Sequence, residues 1–196
     1  MSTIKTTNIT HGSNSGTNNL ILDDTGKVSI AEKKLYCPGG IIQVQSTTKT
    51  DYFTHATTTI TDITGLNVTI TPTYNTSKIL LMAHVNYGGS ANVYASFFLK
   101  RDTTLIGVST AVSGDNRVAA NFGGHLDSIH RTRSTGVNYM DDPYGGSGTP
   151  AAITYKVACA SQYNSEDIMI NRTSSTANDS YNIGVTSSIT AMEIAV

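Results

Sequence analysis

IIQVQSTTKTDYFTHATTTITDITGLNVTITP, residues 41–72, carries the strongest structural signal in the chain. Thr, Val and Ile recur there at alternate positions. β-branched side chains pack well on a pleated sheet and lose rotamer freedom in a helix, so this pattern favours strands. It is typical of a shell-forming β-sandwich, whose function lies in its surfaces rather than in a reaction centre.

The same pattern continues on the carboxyl side of this segment, and no later segment shows a helical period. It predicts strands at 41–48, 51–55, 58–63, 66–71, 78–87, 93–101, 104–112, 116–122, 150–159, 166–172 and 184–196. Many short strands joined by tight turns indicate an all-β sandwich or jelly roll. The sequence therefore predicts a jelly-roll head domain over residues 39–196, with its longest irregular insertion at 123–149.

Residues 1–38 have a different composition, rich in Ser, Thr, Asn and Gly, and end at Pro38-Gly-Gly40. Within this arm, residues 19–30 read as a β-hairpin around Gly26. A lone hairpin is marginal in water, so it should pair with something else. The arm is either a disordered tail or, as we favour, an anchor that becomes ordered on a larger assembly. The anchoring residues would be the apolar ones of the hairpin: Leu20, Ile21, Leu22, Val28 and Ile30.

Charge and hydropathy narrow the possible partners. Of 196 residues only 14 % are charged, and the net charge is −1. We therefore expect binding neither to nucleic acid nor to anionic membranes. No apolar run approaches the ~18 residues of a membrane helix, and the amino terminus lacks the features of a secretory signal.

Catalytic and metal-binding patterns are weak. The five histidines lack zinc-site spacing, three glutamates offer little for glycosidase chemistry, and no phosphate-binding or nucleophile-elbow motif occurs. Cys37 and Cys159 are predicted to be two free thiols, with a disulfide or an intersubunit pair as alternatives. We expect no enzymatic activity, no cofactor and no metal.

Two predicted strands, 78–87 and 184–196, are apolar at both odd and even positions. A strand facing water on one side should alternate, so a second layer is expected, and another subunit would supply it. His84 and Glu193 interrupt the pattern and are interpreted as polar groups satisfied across that interface. The predicted interface residues are Met82, His84, Met192 and Ile194.

The 123–149 insertion is long enough to be functional. It contains residues suited to stacking and hydrogen bonding, and five of them form a candidate receptor loop: His125, His130, Tyr139, Asp141 and Tyr144. A sugar or a protein would be the ligand. A solvated loop or a subunit-packing arm would look similar in sequence.

Five parts of the sequence carry a resemblance to known proteins: the segments 42–50, 61–72 and 76–82, the Phe98-Leu-Lys-Arg hairpin and the ending Ile189-Thr-Ala-Met-Glu-Ile. Together they resemble structural proteins of tailed phages, notably those infecting marine cyanobacteria. The arm resembles the virion-attached arms of such proteins. The resemblance implies a non-enzymatic virion protein, assembled in the host cytoplasm and contacting other capsid or tail proteins. It would be a fibre, a tail appendage or a capsid decoration protein. A host glycan-binding recognition module is the alternative.

The strand count and the last strand also resemble the C1q/TNF-type jelly roll. That resemblance implies a homotrimer packed through one sheet, which would contain strands 41–48, 78–87, 150–159 and 184–196.

Overall fold

A computed structural model describes residues 37–110, 118–175, 180 and 182–196, together with three short strands of the arm. All regular structure in these ranges is β. The strands are β1 (Asn8–Ile9), β2 (Leu20–Leu22), β3 (Val28–Ile30), β4 (Ile41–Lys49), β5 (Phe53–His55), β6 (Thr61–Ile70), β7 (Lys78–Gly89), β8 (Tyr94–Arg101), β9 (Thr104–Ile106), β10 (Phe122–His125), β11 (Arg133–Asp141), β12 (Ile153–Ser161), β13 (Ile168–Ile170) and β14 (Ser187–Ile194).

Two antiparallel sheets form a sandwich. In the first sheet β7 is central: β14 and then β4 lie on one side, β11 lies on the other, and β13 and β5 continue from the far end of β7. The second sheet runs β6, β12, β8 and β10, with β9 also paired to β8. Long strands that follow each other along the chain thus alternate between sheets in jelly-roll order. The predicted all-β jelly-roll sandwich is confirmed.

The core lies between the two sheets and follows from strand alternation. Every second residue of β7, from Ile79 to Tyr87, is buried. The opposite sheet contributes Phe97, whose ring meets Tyr87 edge-on at 5.0 Å and stacks on Phe122 at 5.3 Å. These aromatic contacts join β7, β8 and β10 across the sandwich.

Two predicted strands, 58–63 and 66–71, are in fact one. The predicted turn at Gly65 is a bulge inside β6, where Gly65 has φ +78°. On the partner strand the pairing shifts between Lys156 and Ala158. A glycine with positive φ fits both a turn and a bulge, which is why the sequence alone suggested a break.

The prediction that 123–149 is an irregular insertion is wrong as far as Asp141. It contains the end of β10 and all of β11, which pairs with β7 over nine residues. The strand expected at 150–159 corresponds to β12 and lies in the second sheet, so it does not join 41–48, 78–87 and 184–196. β11 takes that fourth position. Of the predicted strand 104–112, the structure shows β9, which ends at Ile106. The strand predicted at 116–122 is replaced by β10, which begins at Phe122. Residues 111–117 lie outside the described residues.

The arm strands pair as the sequence predicts, with one addition. β2 and β3 are antiparallel, Leu20 opposite Ile30 and Leu22 opposite Val28, and β1 adds Ile9 opposite Leu20. Residues directly opposite each other share a face of a sheet. These five residues therefore occupy positions on one face. Gly26 and the rest of the predicted turn lie outside the described residues.

Candidate functional site

The outer surface of the first sheet carries a row of apolar residues across four adjacent strands. Register places Val44, Met192, Leu80 and Met140 directly opposite one another on β4, β14, β7 and β11. We use the name apolar face for this row together with two neighbouring residues, Met82 and Ile194. Val44 is 49 % exposed, Met140 46 % and Met82 37 %. Such a row is unusual on the solvent side of an antiparallel sheet.

The four predicted interface residues all lie on this side of the sheet. In β14 the inward positions are Ile189, Ala191 and Glu193, so Met192 and Ile194 point outward. In β7, Met82 and His84 are exposed between buried neighbours. The structure thus brings Met82, His84, Met192 and Ile194 to one surface, and the chain's own 123–149 segment does not cover it because β11 extends the sheet sideways.

The interpretation of Glu193 as a polar group satisfied across subunits is wrong. Its side chain is fully buried, and its carboxylate accepts bonds within the chain from Gln43 Nε2 (2.6 Å), Ser77 Oγ (2.7 Å), Thr73 N (2.6 Å) and Tyr74 N (3.3 Å). Glu193 therefore ties β14 to β4 and to the loop before β7. It needs no partner from another subunit.

The candidate receptor loop does not form one site. Asp141 is buried, and its carboxylate accepts from Tyr155 Oη at 2.7 Å and from Arg101 Nη1 at 3.0 and 3.1 Å. Burial and this hydrogen bond to Asp141 raise the pKa of the Tyr155 hydroxyl. Asp141 therefore joins the two sheets and is not available to a ligand.

The remaining loop residues are dispersed. Tyr139 and Tyr144 pack against the core, and the Tyr144 hydroxyl exchanges hydrogen bonds with Ala151 N (2.6 Å) and O (3.1 Å). His130 is exposed in a turn. His125 lines a groove on the outer surface of the second sheet.

This groove was not predicted from sequence. We define the groove by six residues: Tyr94, Ser96, Val118, Gly123, His125 and Gln162. The Tyr94 and His125 rings stack with centroids 4.3 Å apart, because they are directly opposite on β8 and β10. The available signal was the pair of glycines at 123–124, but the register that sets His125 beside Tyr94 joins residues 31 positions apart in the chain.

Neither cysteine is in a disulfide: Cys37 is exposed and Cys159 is buried. Burial raises the pKa of the Cys159 thiol to about 12. Within the described ranges, no three His, Cys, Asp or Glu side chains converge to hold a metal ion. The same part of the chain has no helix long and apolar enough to cross a membrane.

No family model and no curated protein matches this chain.

Proposed function

We propose that the protein is a non-enzymatic structural component of a tailed-phage virion, a homotrimer whose head assembles through the apolar face. Residues 1–38 attach it to another capsid or tail protein. The observation that carries this proposal is the unbroken apolar row from Val44 to Met140 across four strands.

Energetics favour covering this face. Fully burying a large apolar side chain contributes roughly 1.5–3 kcal/mol. In a cyclic trimer each contact occurs three times, so a row of half-exposed side chains supplies several such contributions. Beyond the row, the outward positions of β14 are the uncharged Thr190 and Ser188, whereas β7 places Lys78 opposite Ile194 and His84 opposite Ser188. The threefold symmetry itself rests on the resemblance to C1q/TNF-type jelly rolls.

The arm supports attachment. Its three strands have only two or three residues each, and their register places Ile9, Leu20, Leu22, Val28 and Ile30 on one face. A sheet this small is marginal by itself. An apolar surface on a neighbouring virion protein would stabilise it, which is the role assigned to Leu20, Ile21, Leu22, Val28 and Ile30. Of these, Ile21 pairs with Ser29 and so takes the alternate position.

A matched pair of substitutions tests the assembly. Met82 on the apolar face and Leu105 on the second sheet are 37 % and 36 % exposed. Met82→Asp should convert the trimer to monomer at micromolar concentration, because a carboxylate buried without a partner costs several kcal/mol per copy. Leu105→Asp should leave the trimer intact. Light scattering coupled to size-exclusion chromatography measures both masses.

Met192→Asp, at the centre of the row, should have the same effect as Met82→Asp. A wild-type protein that is monomeric at micromolar concentration would contradict the trimer. Labelling of purified phage particles with an antibody to the head tests virion location separately, and particles that lack the protein would contradict the virion role.

Host-surface recognition is the second candidate function. The dispersal of Tyr139, Asp141 and Tyr144 argues against a single receptor loop. The stacking of the exposed Tyr94 ring with the half-buried His125 ring instead supports recognition at the groove. A virion protein of this kind can perform both roles, since the two surfaces lie on opposite sheets.

A further inference from the structure

The groove is a trough cut across three strands of the second sheet. Its floor is formed by two small residues, Ser96 and Gly123, which are directly opposite each other on β8 and β10. One wall is the next row, in which Tyr94 lies between His125 and Gln162. Val118 and Ala120 form the opposite wall. The trough holds about 610 Å³, within the ~300–1,000 Å³ typical of small-molecule sites.

Asn121 and Phe122, which lead from Ala120 to the floor, are fixed by contacts within the chain. Asn121 Oδ1 accepts from Leu99 N at 2.7 Å, and Asn121 Nδ2 donates to Ile106 O at 2.9 Å. The Phe122 ring is fixed by stacking on Phe97. A Cβ at Gly123 would lie 2.4 Å from the Ala95 carbonyl oxygen, so this part of the floor tolerates no side chain. A preformed site loses little entropy on binding.

The lining combines an exposed aromatic ring with uncharged polar groups. Tyr94 is 45 % exposed. Tyr94 Oη, Ser96 Oγ and the Gln162 amide have no hydrogen-bond partner among the described residues, so they remain able to bind a ligand. The lining residues that the structure describes include no Asp, Glu, Lys or Arg.

We propose that the groove binds a neutral saccharide through one pyranose ring. The apolar face of a sugar ring packs on an aromatic side chain, and its hydroxyls match groups that both donate and accept, such as the tyrosine hydroxyl, the serine hydroxyl and the amide. Among the described residues, the lining offers no cation to a phosphate or sulfate and no basic track to a nucleic-acid backbone. The site is on the sheet opposite the apolar face and does not depend on trimer formation.

The test uses the full chain, fluorescently labelled, on an array that carries neutral hexose and N-acetylhexosamine oligosaccharides beside sialylated and sulfated ones. We expect binding to neutral members only. The best neutral oligosaccharide is then titrated calorimetrically into wild type and variants. Tyr94→Ala should weaken binding about tenfold or more, since the stacking surface is lost. Ser96→Gln should do the same by filling the floor.

Tyr52→Ala is the matched control, because Tyr52 is 56 % exposed but precedes β5 in the other sheet. It should bind like wild type. Thermal melting of each variant separates lost binding from lost folding, and light scattering on the same samples reports the trimer independently. No binding at about 1 mM neutral saccharide, binding restricted to acidic glycans, or affinity unchanged in Tyr94→Ala would overturn the proposal.

Discussion

Glu193 shows how one buried charge is stabilised by hydrogen bonding alone. Burial opposes ionisation and by itself would raise the pKa of the carboxyl group. Bonds from Gln43, Ser77 and Thr73 to the ionised form outweigh it, and the net effect is a pKa below the usual glutamate value. The folded state is therefore more stable when Glu193 is ionised.

We expect Glu193→Gln to lower the free energy of unfolding by about 1–3 kcal/mol at pH 7, because an amide cannot accept all of these bonds. The wild-type advantage is present above the unfolded-state pKa, about 4.3, and disappears as pH falls through the lower folded-state pKa. Urea unfolding from pH 7 to pH 3 measures this convergence. Asp62→Asn, which removes partly exposed bonds from Lys100 and Lys156, should cost under about 1 kcal/mol. Parallel pH curves for wild type and Glu193→Gln would contradict the role of the charge.

The two thiols should differ in reactivity. The thiolate is the reactive form, and burial both raises the pKa of Cys159 and blocks access to it, whereas Cys37 is exposed. At pH 8 we expect a maleimide reagent to add one label to the native chain and two in denaturant, counted by mass spectrometry. Cys37→Ser should reduce the native count to zero. Rapid native labelling at both positions would contradict the buried placement of Cys159.

At the scale of elements, the backbone of β10 passes close to the Tyr87 side chain of β7. The Tyr87 hydroxyl is buried with no hydrogen-bond partner among the described residues. A Cβ at Gly124 would lie 2.6 Å from this oxygen. The missing side chain at Gly124 therefore makes room for the tyrosine.

Gly124→Ala should destabilise the fold by about 1–3 kcal/mol through this overlap. Tyr87→Phe should be neutral or stabilising, because it removes an unpaired buried hydroxyl. When Tyr87→Phe is already present, Gly124→Ala should lower the free energy of unfolding by at least about 1 kcal/mol less than it does in wild type. A double-mutant cycle on unfolding free energies measures this difference. Additive effects would show that the hydroxyl is not what excludes a side chain at position 124.

Local pattern predicted most strands and the outward orientation of Met82, His84, Met192 and Ile194, because strand alternation is a property of neighbouring residues. Prediction from local pattern failed where the paired strands are far apart in the sequence. β11 is polar at alternate positions and rich in loop-like residues, yet its long register with β7 makes it a strand. The groove was missed for the same reason, since β8 and β10 create it only by pairing. The network around Glu193 joins residues 116–150 positions apart, beyond any local signal.

At the scale of the whole molecule, the head begins beside its own last strand, at the edge of the first sheet. Gly39 N donates to Ala195 O at 2.7 Å, and Ala195 N donates to Gly40 O at 3.0 Å. The main buried cluster of the head runs from Ile63 to Ala191. The head thus has its own core, and the two backbone bonds at Gly39 and Gly40 close it beside the last strand.

Deletion of residues 1–36 should therefore leave the melting temperature of the head unchanged within about 2 °C. It should also leave the trimer intact, since the apolar face belongs to the head, while incorporation into particles is lost with the anchoring strands. Deletion of residues 1–40 is the matched control: it removes both bonds to Ala195, worth about 0.5–1.5 kcal/mol each, and should lower the melting temperature by several degrees. Calorimetry, light scattering and particle proteomics measure the three properties. A 37–196 chain that is folded but monomeric would place the assembly surface in the arm instead of on the apolar face.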